Sequence, residues 1–185
     1  MNAAPPTLVA RWLERWRHVA RRQAPTVLAL LVVVAAAHFW HTRHLPHGLV
    51  PDATVQLVSG ERLRLSEWRA RYPGKPVALH IWAEWCPICR TEEHSVTRVQ
   101  ADWPVLTIAM QSGQAAQVQR VLQQRSLPWP TAIDADGTLA RSLGVHAVPA
   151  LLVLDAQGQL QAASVGYTSE VGMRLRLRWA SWQNG

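Results

Sequence analysis

Two hydrophobic periodicities alternate along most of the chain, and between them they place its elements. Val77 to Trp82 and Val105 to Met110 are nearly continuous apolar runs of strand length, the pattern of strands covered on both faces. Gln114 to Arg125 instead sets Ala115, Val118, Val121 and Leu122 at helical spacing on an otherwise polar segment. Ser59-Gly60 separates Val55–Val58 from Arg62–Leu65, and Asp155-Ala-Gln-Gly158 separates Ala150–Leu154 from Leu160–Val165, so each pair reads as a hairpin. Ser66 is placed to cap a short helix through Arg71, and Tyr72 to Pro76 is a turn. A helix is expected over Pro87 to Gln100, and a shorter one over Leu139 to Leu143, ending at Gly144. Leu127-Pro-Trp-Pro130 breaks the chain and Asp134-Ala-Asp-Gly137 turns it. Ser169 to Trp182 has helical length, although Leu175-Arg-Leu-Arg178 alternates as a strand would. Strands alternating with helices, then a terminal hairpin and helix, predict an α/β domain built on a mixed sheet.

The first fifty residues follow a different pattern. Ala24 to Trp40 carries no formal charge, which is the short end of a transmembrane helix, and Phe39 and Trp40 sit where an interfacial aromatic belt would lie. Arg11, Arg15, Arg17, Arg21 and Arg22 precede it and only Arg43 follows closely, so the positive-inside rule keeps the N-terminus cytoplasmic. The expected organisation is a basic amphipathic leader (1–23), a single transmembrane anchor (24–41), a linker (42–51) and an exported domain (52–185). A cleaved signal peptide is the competing reading, since Ala35-Ala36-Ala37 offers small residues, but the leader is long for one. His38, His41, His44 and His47 recur every third residue across the end of the apolar stretch; Pro46 interrupts any helix that would gather them on a metal.

Composition adds two exclusions. Of 185 residues 49% are hydrophobic and 17% charged, enough for one core plus an extra segment rather than a disordered chain. The net charge of +7 does not imply nucleic-acid binding, because five arginines are explained by topology and the rest are scattered without a recognition motif.

The chemistry lies in Ile81-Trp-Ala-Glu-Trp-Cys-Pro-Ile-Cys-Arg90, which holds both cysteines of the chain as Cys86-x-x-Cys89. A strand leads in and a helix leads out. The helix start offers unpaired N–H groups and the positive end of the macrodipole, where a thiol more readily becomes the nucleophilic thiolate. Pro87 fits the first turn, where a missing N–H costs nothing. Cys86, first in the motif, is expected to be the exposed nucleophile, and Cys89, one turn in, the more buried resolving thiol. A zinc half-site would need two more ligands at short spacing, and no further cysteine is present.

Trp-Ala-Glu-Trp-Cys-Pro-x-Cys resembles the active-site signature of the thioredoxin superfamily, and Cys89-Arg-Thr-Glu92 resembles its membrane-anchored TlpA/ResA-like branch. Ile108 to Gly113, Gly144 to Pro149, Gly166 to Glu170 and Arg174 to Arg178 resemble the bacterial "suppressor for copper sensitivity D" group. The resemblance covers roughly residues 50–182. It implies a thioredoxin-like fold, decides Ser169–Trp182 for helix, and makes the Val55–Leu65 hairpin and the Gln114–Gly144 segment additions to that fold. It also implies that the Val148–Pro149 bond is cis and that its loop lies against the dithiol, where with Trp85 and Pro87 it would bind an extended substrate segment. His80 stands where thioredoxins carry a buried aspartate, so it is a candidate proton acceptor for Cys89, with Glu84 as rival. Trp82 and Trp85 would wall the site.

The activity expected is protein thiol–disulfide exchange in the periplasm, with the dithiol as redox centre and no bound cofactor. The partners expected are protein thiols and disulfides and a membrane electron donor or acceptor of the DsbD type. The alternative is copper binding or delivery by the reduced dithiol, with His146 as a third ligand. A peroxiredoxin-like peroxidase would need a Pro-x-x-x-Thr-x-x-Cys context, which is absent.

Overall fold

The computed structural model describes residues 23–29, 32–33 and 48–183. Residues Met1–His41 and Thr42–Gly185 form separate units. In the first, the described residues are helical and exposed. Among the described residues no helix is long and apolar enough to cross a membrane. The leader up to residue 22, most of the expected anchor and the four spaced histidines lie outside the described residues.

In the second unit the elements run β1 (Thr54–Gln56), β2 (Arg62–Arg64), α1 (Leu65–Ala70), β3 (Val77–Trp82), α2 (Pro87–Gln100), β4 (Val105–Met110), α3 (Ala115–Gln124), β5 (Thr131–Asp134), α4 (Thr138–Ser142), β6 (Ala150–Leu154), β7 (Leu160–Val165) and α5 (Glu170–Gln183). β1 and β2 pair as a separate antiparallel hairpin, and the main sheet has the order β5-β4-β3-β6-β7. β3 is parallel to β4 and antiparallel to β6; β4 is parallel to β5, and β6 antiparallel to β7.

Every residue of β3 and β4 is buried, as their continuous apolar runs required. The two-residue alternation sorts their side chains onto two cores. Val77, Leu79 and Ile81 with Leu106, Ile108 and Met110 face a core closed by Trp68, Leu143 and the β1–β2 hairpin. Ala78 and Trp82 face the opposite core, with Val96 and Val99 of α2, Val118 and Leu122 of α3, and Met173 and Leu177 of α5. Both cysteines belong to this second core.

Two local expectations need correction. α1 starts two residues earlier than a Ser66 cap allows: Arg64 is the N-cap residue, its N–H donating 2.8 Å to the Glu67 carboxylate. Ser66 is inside the first turn, and its N–H and hydroxyl both donate to Asp52, at 2.8 Å each, so an acid fourteen residues away supplies the acceptor. Thr131–Asp134, unassigned between a break and a turn, is a strand at the edge of the main sheet. The Gln114–Gly144 segment therefore contributes to the sheet itself. Leu57 bridges to Ala132, and Val58 N–H donates 2.8 Å to the Thr131 carbonyl, so the hairpin end covers that edge.

Candidate active site

β3 ends at Trp82, and four residues later Cys86 is the N-cap of α2, with extended φ and ψ of −87° and 109°. Its Sγ accepts the Cys89 N–H at 3.1 Å. Pro87 follows at the first helical position, as its lack of a donor favours. Cys86 and Cys89 are joined as a disulfide, with Cα atoms 5.3 Å apart.

The loop before β6 closes over the sulfurs. The Val148–Pro149 peptide is cis, and the Val148 carbonyl oxygen lies 3.8 Å from Cys86 Sγ. Gly166 N–H donates to the Pro149 carbonyl at 2.8 Å, tying this loop to the segment that leads into α5. Cys86 is not the exposed sulfur expected: it is 3% exposed in the disulfide and Cys89 2%. Both cysteines belong to the core against which half-buried Val148 packs.

The segment from Ala83 to Trp85 is held from its other side. Glu84 N–H donates 2.9 Å to the Ser112 hydroxyl, which itself donates 3.0 Å to the Met110 carbonyl. Trp85 Nε1 donates to the Gln111 carbonyl at 3.2 Å, with Gln111 itself at a φ of +48°. Arg125 donates to the Glu84 carbonyl and to the Glu93 carboxylate, at 3.3 and 2.8 Å. Glu84 thus contributes its backbone to the site's frame while its side chain is exposed. Trp85 is exposed beside the motif, whereas Trp82 is a core residue stacked edge-on against Trp129 at 5.7 Å and walls nothing open.

His80 is buried on β3, and its partner was not foreseen. Nε2 lies 3.1 Å from Glu92 Oε2, both residues being 1% exposed. Glu92 also accepts the Thr168 N–H through Oε1, and Thr168 exchanges a 2.8 Å hydroxyl bond with Ser164. A carboxylate accepting from two sides is served best by the Nε2–H form of the ring. That leaves Nδ1, buried and without a partner, as the ring position open to a proton. Glu92 follows Cys89 by one helical turn and shares the buried face of α2 with Cys89, Ser95, Val96 and Val99. The signal for it was a carboxylate on the apolar stripe of an amphipathic helix.

His146 is exposed. Among the described residues no group of three or more His, Cys, Asp or Glu side chains is placed to hold a metal ion.

The profile of the AhpC/TSA family matches residues 47–163. The thiol:disulfide interchange protein DsbE of Pseudomonas aeruginosa is 30% identical over 159 residues, which span 81% of this chain and 87% of the relative. The DsbE of Pseudomonas fluorescens biotype C is 27% identical over 172 residues, 89% of this chain and 93% of the relative. A thioredoxin-family thiol:disulfide interchange protein from Chlorobium tepidum superposes with a TM-score of 0.60 at 23% identity, covering 74% of this chain and 97% of that structure. The fold is therefore thioredoxin-like.

Proposed function

The chain belongs to the thioredoxin-like AhpC/TSA family, close to the DsbE thiol:disulfide interchange proteins, and on that footing we propose that it is a protein thiol–disulfide oxidoreductase with Cys86 as nucleophile and Cys89 as resolving thiol. The observation that carries the proposal is the Cys86–Cys89 disulfide at the start of α2, beneath the Val148–Pro149 loop.

In the reducing direction the Cys86 thiolate attacks a partner disulfide. A mixed disulfide forms and one partner thiolate leaves. Cys89 then loses its proton, attacks Cys86 Sγ, and releases the second partner thiolate as the intramolecular disulfide closes. The oxidising direction is the reverse, with a partner thiolate attacking Cys86 and Cys89 leaving. In both, the Cys89 N–H that now meets Cys86 Sγ is a ready donor to a Cys86 thiolate. The dithiol carries both electrons, so the reaction needs no bound cofactor.

His80 with Glu92 is the proposed relay for the Cys89 proton, because both are buried and Glu92 is one turn from Cys89 on the same helix face. Val148, Pro149, Trp85 and Pro87 form the proposed substrate lip, with Val148 presenting its backbone beside the nucleophile. Glu84, exposed and held by its backbone, is the weaker candidate for proton transfer.

We place residues 24–41 as a single-pass inner-membrane anchor and the catalytic domain from residue 52 in the periplasm, supported by the uncharged stretch and the arginines before it. The proposed partners are protein thiols and disulfides and a membrane redox protein of the DsbD type. A place in the copper-sensitivity-suppressor group rests on the Gly144–Pro149 and Gly166–Glu170 stretches. Dithiothreitol-driven insulin reduction tests the activity. Wild type should catalyse it, and Cys86→Ser should fall to the uncatalysed rate; retained activity in that variant would remove the dithiol from the reaction.

A further inference from the structure

α5 is apolar on two faces. Met173, Leu177 and Ala180 bury one face against the sheet. Val171, Leu175, Trp179 and Trp182, spaced by four, four and three residues, form a second stripe that is 66%, 61%, 54% and 76% exposed. Beside the stripe α5 and Ala162 of β7 enclose a groove of about 380 Å³, lined by Leu175, Arg176, Arg178, Trp179 and Trp182. Arg174 is engaged with Asp102 and Glu170, and Arg176 donates to the Gly172 carbonyl, while Arg178 is exposed at the edge of the stripe. Two tryptophans, two aliphatic residues and flanking arginines on one exposed helix face make the amphipathic pattern of an interfacial helix.

The path of the chain favours one occupant. The domain begins on the edge of the sheet that carries this groove. Leu49 bridges to Gln159, Val50 N–H donates to the Gly158 carbonyl at 3.2 Å, and Leu160 N–H donates to the Gly48 carbonyl at 2.8 Å. Ala162, in the groove, lies two residues beyond Leu160 on β7. Residues 42–47 join this edge to the stretch read above as the anchor, and six residues reach at most roughly 20 Å.

Resting on that reading of residues 24–41, we propose that the Val171–Trp182 face of α5 docks on the periplasmic surface of the bilayer that holds the anchor, at its anionic phospholipids. The stripe enters the interfacial region and Arg176 and Arg178 meet lipid phosphates. Docking would fix the dithiol relative to the membrane plane. α5 begins two residues after Thr168, which bonds Glu92, and Gly166 in the same segment bonds Pro149. A membrane redox partner would then meet the sulfurs at a set height.

The test uses the full chain in vesicles of phosphatidylethanolamine and phosphatidylglycerol, with the photocrosslinker p-benzoylphenylalanine in place of Leu175 or, as control, of the exposed Gln124 on α3. Lipid adducts should form at position 175 and not at 124. They should weaken in phosphatidylcholine vesicles. Arg178→Gln should lower the docked-to-free ratio about fivefold, the effect of one cation near an anionic surface. Absence of lipid adduct at 175, or adducts with a second copy, would overturn the proposal. Resistance of the same chain to alkaline carbonate extraction reports the anchor separately. A chain that resists extraction without a lipid adduct at 175 refutes docking alone, and a chain that is extracted refutes the anchor.

Discussion

Removing either member of the His80–Glu92 pair should cost more than removing both. The two side chains are buried to the same degree and bonded at 3.1 Å, with Thr168 N–H as the carboxylate's other donor. His80→Leu leaves Glu92 with that donor alone, and breaking a buried pair from one side costs about 3–5 kcal/mol. Glu92→Leu leaves the ring and the Thr168 N–H unpaired, at about 1–3 kcal/mol for each polar group. In the double variant only the Thr168 N–H is orphaned, so about 1–3 kcal/mol is expected in place of the summed losses. Urea unfolding of the oxidised protein, followed by tryptophan fluorescence, closes the cycle. The double variant should be more stable than either single one, and a loss equal to the sum of the single losses would refute the pairing. The relay has its own readout. His80→Gln and Glu92→Gln should slow resolution of a preformed Cys86 mixed disulfide by about a hundredfold, the lower end of what a positioned base contributes. Iodoacetamide labelling of reduced Cys86 should stay the same. A resolution rate within about twofold of wild type, well short of a base's contribution, would leave the pair a packing element only.

On the proposed topology, in which the arginines before residue 24 would hold the N-terminus inside, alkaline phosphatase fused after Gly185 should be active in the cell; an inactive fusion would reverse that topology. Acid should unfold the domain partly through Asp52 and Glu170. The Ser66 N–H holds the Asp52 carboxyl below its ordinary range, and the Arg98 hydrogen bond does the same for Glu170. Both are lowered in the folded state, so their stabilisation is complete above the unfolded carboxyl range, about 4, and is lost as pH falls through the lowered values. The melting temperature of an Asp52→Asn/Glu170→Gln variant should therefore fall less steeply below about pH 4 than that of wild type, and parallel acid limbs would contradict this.

Much of the fold was legible because its strongest signals are local. The runs of β3 and β4, the proline after Cys86 and the turn before Gly158 each act within a few residues, and the elements stand where those signals put them. The parts that escaped depend on distant partners. Thr131–Asp134 is short, begins just after Pro130 and ends on an acid, and it becomes a strand through β4 and the end of the hairpin. Glu92 stands on the apolar stripe of its helix, but its partners become visible only when β3 brings His80 and the β7–α5 connection brings Thr168. Cys86 is covered by a loop 62 residues further along, which position at a helix start cannot reveal.

Trapping in cells separates the roles of the two sulfurs. With Cys89→Ala, Cys86 can attack and nothing resolves the product, so mixed disulfides with partner proteins should accumulate and disappear on reduction. With Cys86→Ala few or none should form. Equal trapping by the two variants would contradict the assignment of Cys86 as nucleophile, and no trapping by either would contradict the oxidoreductase reading itself.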